Sequence, residues 1–136
     1  MSKKILVVDD ETDIRRMLQW SLKDQGYQVL TASDGREALE QIAIGQPDLV
    51  VLDVMLPGID GYEVLQKVRA NPATATLPVI MLTALDKGSD VAKGWKAGAD
   101  LYFAKPFAPA ELVEAIGRLF AGDVSAFPAA PAERKF

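Results

Sequence analysis

Four apolar runs in this sequence each stop on a residue able to do chemistry. Ile5-Leu6-Val7-Val8 ends on Asp9-Asp10, and Leu49-Val50-Val51-Leu52 ends on Asp53. The run through Leu82 ends on Thr83-Ala84, and Leu101-Tyr102-Phe103-Ala104 ends on Lys105-Pro106. If those ends share one edge, three carboxylates, a hydroxyl and an ammonium converge there. Crowded carboxylates repel, so at neutral pH they need a cation between them or raised pKa values. A hard divalent ion with oxygen ligands fits, and magnesium takes one or two carboxylates while keeping waters and phosphate oxygens. The backbone carbonyl of Met55, just past Asp53, can add a ligand. Asp53 can then act as a nucleophile toward phosphorus, giving an aspartyl phosphate. Lys105 and magnesium would neutralise the equatorial oxygens, and the Thr83 hydroxyl with the Ala84 N–H would meet a third.

Each residue also has a plainer reading. Asp9 or Asp10 can cap the next helix, Thr83 can be a strand residue facing a turn, and Lys105 can be a solvated charge. The chemical reading is favoured because residues on four separate strand ends are all of types that one reaction requires.

The elements that would mount these residues alternate along the chain. Strands are predicted over Lys4–Val8, Gln28–Ala32, Leu49–Asp53, Pro78–Thr83 and Leu101–Ala104. Three are nearly all apolar, as expected of strands covered on both faces. Helical spacing predicts helices over Thr12–Gln25, Gly35–Gly45, Gly61–Ala70, Asp86–Ala97 and Ala108–Phe120. Ser33 or Asp34 can cap the second and Asp60 the third. The expected fold is α/β: a five-stranded parallel sheet, doubly wound and flavodoxin-like, with helices on both faces. In such a sheet ligands meet the carboxyl ends of the strands. Residues 1–121 would form this domain, and Ala/Pro-rich 122–136 a flexible tail or the start of an interdomain linker.

Composition narrows the function. The 136 residues hold no cysteine and no histidine, which excludes disulfides, thiolate metal sites and a phosphohistidine on this chain. The net charge is −4 and there is no basic run, so direct nucleic-acid binding is not expected. No apolar run reaches the ~20 residues that span a bilayer. The apolar stretch after Lys3-Lys4 is too short for a signal peptide, so a cytoplasmic setting is expected. The turn after the first strand, Asp9-Asp10-Glu11-Thr12, lacks glycine and repels anions, which argues against a dinucleotide site.

The stretches "ILVVDDE", "VVLDVMLPGIDGYE", "PVIMLTA" and "AGADLYFAKPF" together resemble the receiver domains of two-component response regulators, over residues 3 to about 120. The resemblance implies that Asp53 is the phosphoacceptor. It implies that Asp9, Asp10, Asp53 and the Met55 carbonyl hold magnesium, that Thr83 and Lys105 bind the phosphoryl group, and that Pro106 follows a cis peptide. Tyr102 matches an aromatic switch position, whose ring turns inward as Thr83 moves toward the phosphate. The implied partners are a histidine kinase or phosphotransfer protein and an output protein or domain. The output face is built from the last two helices and the fifth strand, with homodimerisation possible there.

Some residues depart from the winged-helix branch of that family, which dimerises through paired charges. Val91, Leu101 and Ala115 stand where that branch has charged side chains, and Val91, Trp95 and Leu101 are a candidate apolar patch, with core packing of Trp95 the plainer and favoured reading. Met55 and Leu85 border the path of attacking water and are apolar, which implies a long-lived phosphoryl group. A competing class, a magnesium-dependent phosphohydrolase of the haloacid-dehalogenase type, usually has a second aspartate two residues after the nucleophile. Met55 stands there, so the chain is expected to turn over no metabolite. A degenerate receiver serving only as a scaffold is disfavoured because every site residue is present.

Overall fold

Residues of alternate parity along each strand enter different cores, and this is what makes the central strands almost continuously apolar. In the computed structural model, which describes residues 2–84 and 98–122, β1 (Lys4–Val8) sends Ile5 and Val7 to one face and Leu6 and Val8 to the other. β3 (Leu49–Asp53) does the same with Leu49 and Val51 against Val50 and Leu52. One core is closed by α1 (Thr12–Asp24) and α4 (Pro109–Ala121), through Leu18, Leu22, Leu112 and Ile116. The other is closed by α2 (Gly35–Gly45) and α3 (Gly61–Ala70), through Ala38, Ile42, Leu65 and Val68. The hydrophobic cost of exposing either face explains why both need helices.

The sheet is parallel, with strand order β2-β1-β3-β4-β5, where β2 is Gln28–Ala32, β4 Val79–Ala84 and β5 Leu101–Lys105. The chain moves outward from β1 to β2, then returns past β1 to β3. That reversal opens a crevice between the carboxyl ends of β1 and β3, where ligands of doubly wound sheets bind.

The helix starts follow the capping residues. Asp34 accepts the Glu37 N–H at 2.8 Å while Glu37 reaches back past the cap to accept the Ser33 N–H at 2.7 Å, a variant of the capping box. Asp60 accepts the Glu63 N–H at 2.9 Å. β4 and β5 each end one residue later than predicted, because Ala84 pairs with Lys105. β4 also begins one residue later: Pro78 has no N–H, although its carbonyl accepts from Val50 at 2.9 Å.

One sequence expectation is corrected by the packing. Leu101 does not contribute to an exposed patch: it is buried against α4 in the core it shares with Leu112 and Ile116. Ala115 is buried in the same core, so an apolar residue at either place is a packing requirement rather than a bare surface. Val91, Trp95, Leu85, the predicted helix 86–97 and the tail 123–136 lie outside the described residues.

At the end of the sheet opposite the crevice, Arg69 ties three segments together. Its guanidinium donates to the carbonyls of Leu77 (2.6 Å) and Gly98 (2.9 Å) and to the Asp100 carboxylate (2.9 Å), which also accepts the Val79 N–H at 2.8 Å. Arg69→Met should therefore cost about 2 kcal/mol, because hydrogen bonds to a charged donor are lost and partly buried carbonyls are orphaned. Urea denaturation measures this as a lower midpoint at unchanged slope.

Candidate functional site

Strand register assembles the site before any side chain is considered. Val8 lies opposite Leu52, so Asp9 follows beside Asp53 on the neighbouring strand. Asp53 pairs with Leu82, which puts Thr83 one step further along β4, and Ala84 pairs with Lys105. Adjacent strands are about 4.8 Å apart, so four strand ends fall within side-chain reach of one another. All the predicted strand-end residues, Asp9, Asp10, Asp53, Thr83, Ala84 and Lys105, lie along this edge.

Asp9 is fully buried, and Asp53 and Thr83 are 3% and 2% exposed, whereas Asp10 is exposed. Carboxylate oxygens of Asp9, Asp10 and Asp53 all lie within 4.8 Å of one another. Lys105 Nζ stands 2.9 Å from Asp9 Oδ2, donates to Asp53 Oδ2 at 3.1 Å and reaches Glu11 Oε1 at 3.5 Å. The other oxygen of each buried aspartate is held by a backbone N–H two residues on. Glu11 N–H donates to Asp9 Oδ1 at 2.9 Å and Met55 N–H to Asp53 Oδ1 at 3.2 Å. Asp9 therefore does not cap α1, whose N-cap is Glu11 with no side-chain bond. The Lys105–Pro106 peptide is cis.

One ammonium faces more negative charge than it can balance. Burial, then the charge of Asp9, pushes the Asp53 carboxyl up from 3.8 to about 6, although Lys105 and the Met55 N–H oppose the rise. For Lys105, burial disfavours the ammonium, but its bond to Asp9 and its attraction to Asp53 outweigh that and leave its pKa raised. Of two buried side-chain oxygens, Asp9 Oδ2 is met by Lys105 Nζ at 2.9 Å in an ion pair, while Thr83 Oγ1 has no hydrogen-bond partner among the described residues. An oxygen-only donor set whose negative charge exceeds what one lysine balances fits a hard divalent cation. The unbonded hydroxyl of Thr83, one residue before the strand partner of Lys105, fits an incoming acceptor oxygen.

Several site residues were not singled out from the sequence. Arg15 donates to the Asp9 carbonyl at 2.7 Å and fixes the turn after β1, while Glu11 adds a fourth carboxylate near Lys105. Neither spacing nor composition marks them. Gly61 did carry a signal, since glycine is a poor helix former and yet opens α3. A Cβ at Gly61 would lie 2.3 Å from the Asp53 carbonyl oxygen and 2.8 Å from Val54 Cα. Both are backbone atoms that cannot swing aside. Gly61→Ala should lower stability by about 2–3 kcal/mol through overpacking. Denaturant unfolding reads that cost, and the absence of any change would show that the backbone here yields freely.

Tyr102 is buried on the α2–α3 side of the sheet, opposite Met81 in register. Its hydroxyl donates to that of Tyr62 at 3.2 Å. Met55, two residues after Asp53, is 67% exposed beside the crevice.

Comparison with known proteins agrees with this arrangement. Residues 5–117 match the family model described as the response regulator receiver domain. The alkaline phosphatase synthesis transcriptional regulatory protein PhoP of Bacillus subtilis (strain 168) is 51% identical over 112 residues, covering 82% of this chain and 46% of that protein. The chain thus spans about half the length of the curated relatives it matches. Among solved structures, the chemotaxis response regulator CheY4 of Vibrio cholerae superposes with a TM-score of 0.82 at 35% identity, over 88% of this chain and 99% of that one. The receiver domain of the Francisella response regulator 1452 gives 0.82 at 34% identity, over 89% and 98%. With its five-stranded parallel sheet and its cluster of strand-end acids, the chain belongs to the family of response regulator receiver domains.

Proposed function

We propose that Asp53 is the phosphoacceptor of a two-component switch, taking its phosphoryl group from a phosphohistidine on a partner kinase or phosphotransfer protein. The observation that carries this is the position of its carboxylate: 3% exposed, 3.1 Å from Lys105 Nζ and clustered with Asp9 and Asp10 at the topological crevice. Asp9, Asp10, Asp53 and the Met55 carbonyl would hold magnesium, which supplies positive charge to the phosphoryl oxygens when bound. Asp53 attacks phosphorus with one carboxylate oxygen, a P–O bond forms, and the P–N bond to the imidazole breaks. Lys105 turns its ammonium to a phosphoryl oxygen as the attacking Asp53 oxygen loses its negative charge to the new P–O bond. The Thr83 hydroxyl and the Ala84 N–H bind another, so the unbonded Thr83 Oγ1 gains a partner.

Phosphorylation adds roughly −1.5 to −2 charges and three strong acceptors. Drawing Thr83 toward them would hold the Tyr102 ring in the buried pose it already takes here, at 2% exposure, and so bias the face of β5 and its neighbouring helices toward an output protein or domain or toward a homodimer. The chain turns over no metabolite in this reading, and it works in the cytoplasm without direct nucleic-acid contact. No described helix is long and apolar enough to cross a membrane. The hydrolase alternative lacks its general acid, because Met55 stands two residues after Asp53 with an exposed apolar side chain.

Intact-protein mass spectrometry after incubation with acetyl phosphate tests the reading. One added phosphoryl mass, dependent on magnesium, is expected, with little free phosphate released. Continuous phosphate release without a trapped adduct would favour the hydrolase. Because Met55 cannot orient water, the adduct should decay over minutes to hours; decay within seconds would contradict the role given to that side chain.

A further inference from the structure

We propose that Tyr62 is a positioning residue for the switch: its hydroxyl latches the Tyr102 ring in the buried pose and so sets how readily the site responds. This rests on the reading of Asp53 and Tyr102 above and adds a second route between them, through α3 rather than through Thr83.

Three observations point to it. The two hydroxyls are 3.2 Å apart, on rings 4% and 2% exposed, so the bond is made away from water. A hydroxyl bond in such surroundings is stronger than at a surface and costly to break. Second, the residue before Tyr62 is clamped to the backbone that carries Asp53. Gly61 N–H donates to the Val54 carbonyl at 2.9 Å, and Gly61 leaves no room for a Cβ against the Asp53 carbonyl. A shift of the Asp53–Val54 peptide therefore cannot be absorbed by slack at the start of α3, and Tyr62 moves with it. Third, Tyr62 and Tyr102 share one core with Val54 and Met81, so the path from β3 through α3 to β5 is packed throughout. Packed paths of this kind transmit small displacements because they rearrange between discrete states.

The chain has three tyrosines, Tyr27, Tyr62 and Tyr102, which makes ring-labelled tyrosine NMR of the whole protein readable. Tyr62→Phe keeps the ring and removes the hydroxyl. Without any ligand, the Tyr102 ring signal is expected to move from its buried position toward the exposed one, by a population shift of roughly fivefold. Titration with beryllofluoride and magnesium, a phosphoryl mimic, should then need about a twofold or greater concentration for half-saturation, because the competent pose is less populated. Tyr27→Phe should change neither quantity. A Tyr102 signal unmoved in Tyr62→Phe would overturn the latch, and a moved ring with an unchanged half-saturation would overturn its link to the site. Should Tyr62→Phe fail to fold, Tyr102→Phe breaks the same bond from the other side and is read by the same titration. If beryllofluoride perturbs neither parent nor variant, the phosphoacceptor reading fails, while the unliganded ring position still decides the latch.

Discussion

The Asp53→Asn protein is expected to take up no phosphoryl group and yet to be more stable than the parent at pH 7.5. The first half follows from chemistry, since an amide oxygen is too weak a nucleophile to displace the group from phosphorus. The second follows from the crowding of charge. The folded Asp53 carboxyl titrates at about 6 against 3.8 for the free group, because burial and Asp9 disfavour its anion. Between those values the folded chain binds more protons than the unfolded one, so stability falls as pH rises through that window. Above about 6 the whole penalty is present. At about 1.4 kcal/mol per pH unit, the window bounds the gain from asparagine at about 3 kcal/mol. Solvent at the crevice mouth and the retained Lys105–Asp9 pair reduce it to about 1–2 kcal/mol. Thermal unfolding at pH 7.5 should show a rise of a few degrees that vanishes near pH 4. A fall in melting temperature at pH 7.5 would mean that Lys105 already balances the acids.

Lys105→Met should have the larger combined effect. The ammonium faces Asp9, Asp53 and Glu11 at 2.9, 3.1 and 3.5 Å, and it is the cation that these carboxylates share. Without it two buried carboxylates confront each other. Breaking a buried pair by deleting one partner costs about 3–5 kcal/mol, and the half-open crevice places this one near the low end. The loss should shrink between pH 7.5 and pH 5, as Asp53 takes up a proton, and on adding magnesium. Phosphoryl uptake from acetyl phosphate should drop about 10²–10³-fold, the usual cost of losing one donor to a developing anion. Equal stability at both pH values would show that the carboxylates do not need the lysine. Unchanged uptake would remove Lys105 from the chemistry.

Both predictions concern residues that are visible in the sequence, and the reason is physical. A parallel sheet buried on both faces demands apolar strands, so any charged residue that ends one stands out. That is why Asp9, Asp53 and Lys105 were legible, and why β1, β2 and β3 have their expected bounds. The ends of β4 and β5 were less so, because Ala84 and Lys105 join the ladder only once their register is known. Register and strand order are long-range properties that no local pattern encodes. The same holds for the Tyr62–Tyr102 bond, made across 40 residues, and for Arg69, which reaches Asp100 across 31. Leu101 was misread for a related reason: an apolar residue where a relative carries charge looks exposed until the core behind it is seen.

The central claim is that the carboxylate of Asp53, and no other, accepts the phosphoryl group. Borohydride reduction tests it most directly, because an acyl phosphate is reduced to the alcohol and its aspartate becomes homoserine. The protein would be treated with acetyl phosphate and magnesium, reduced, digested and mapped by mass spectrometry. Homoserine at position 53 alone, absent without magnesium, is the predicted result. Homoserine at Asp9 or Asp10, or none while the intact protein carries a phosphoryl mass, would contradict the account.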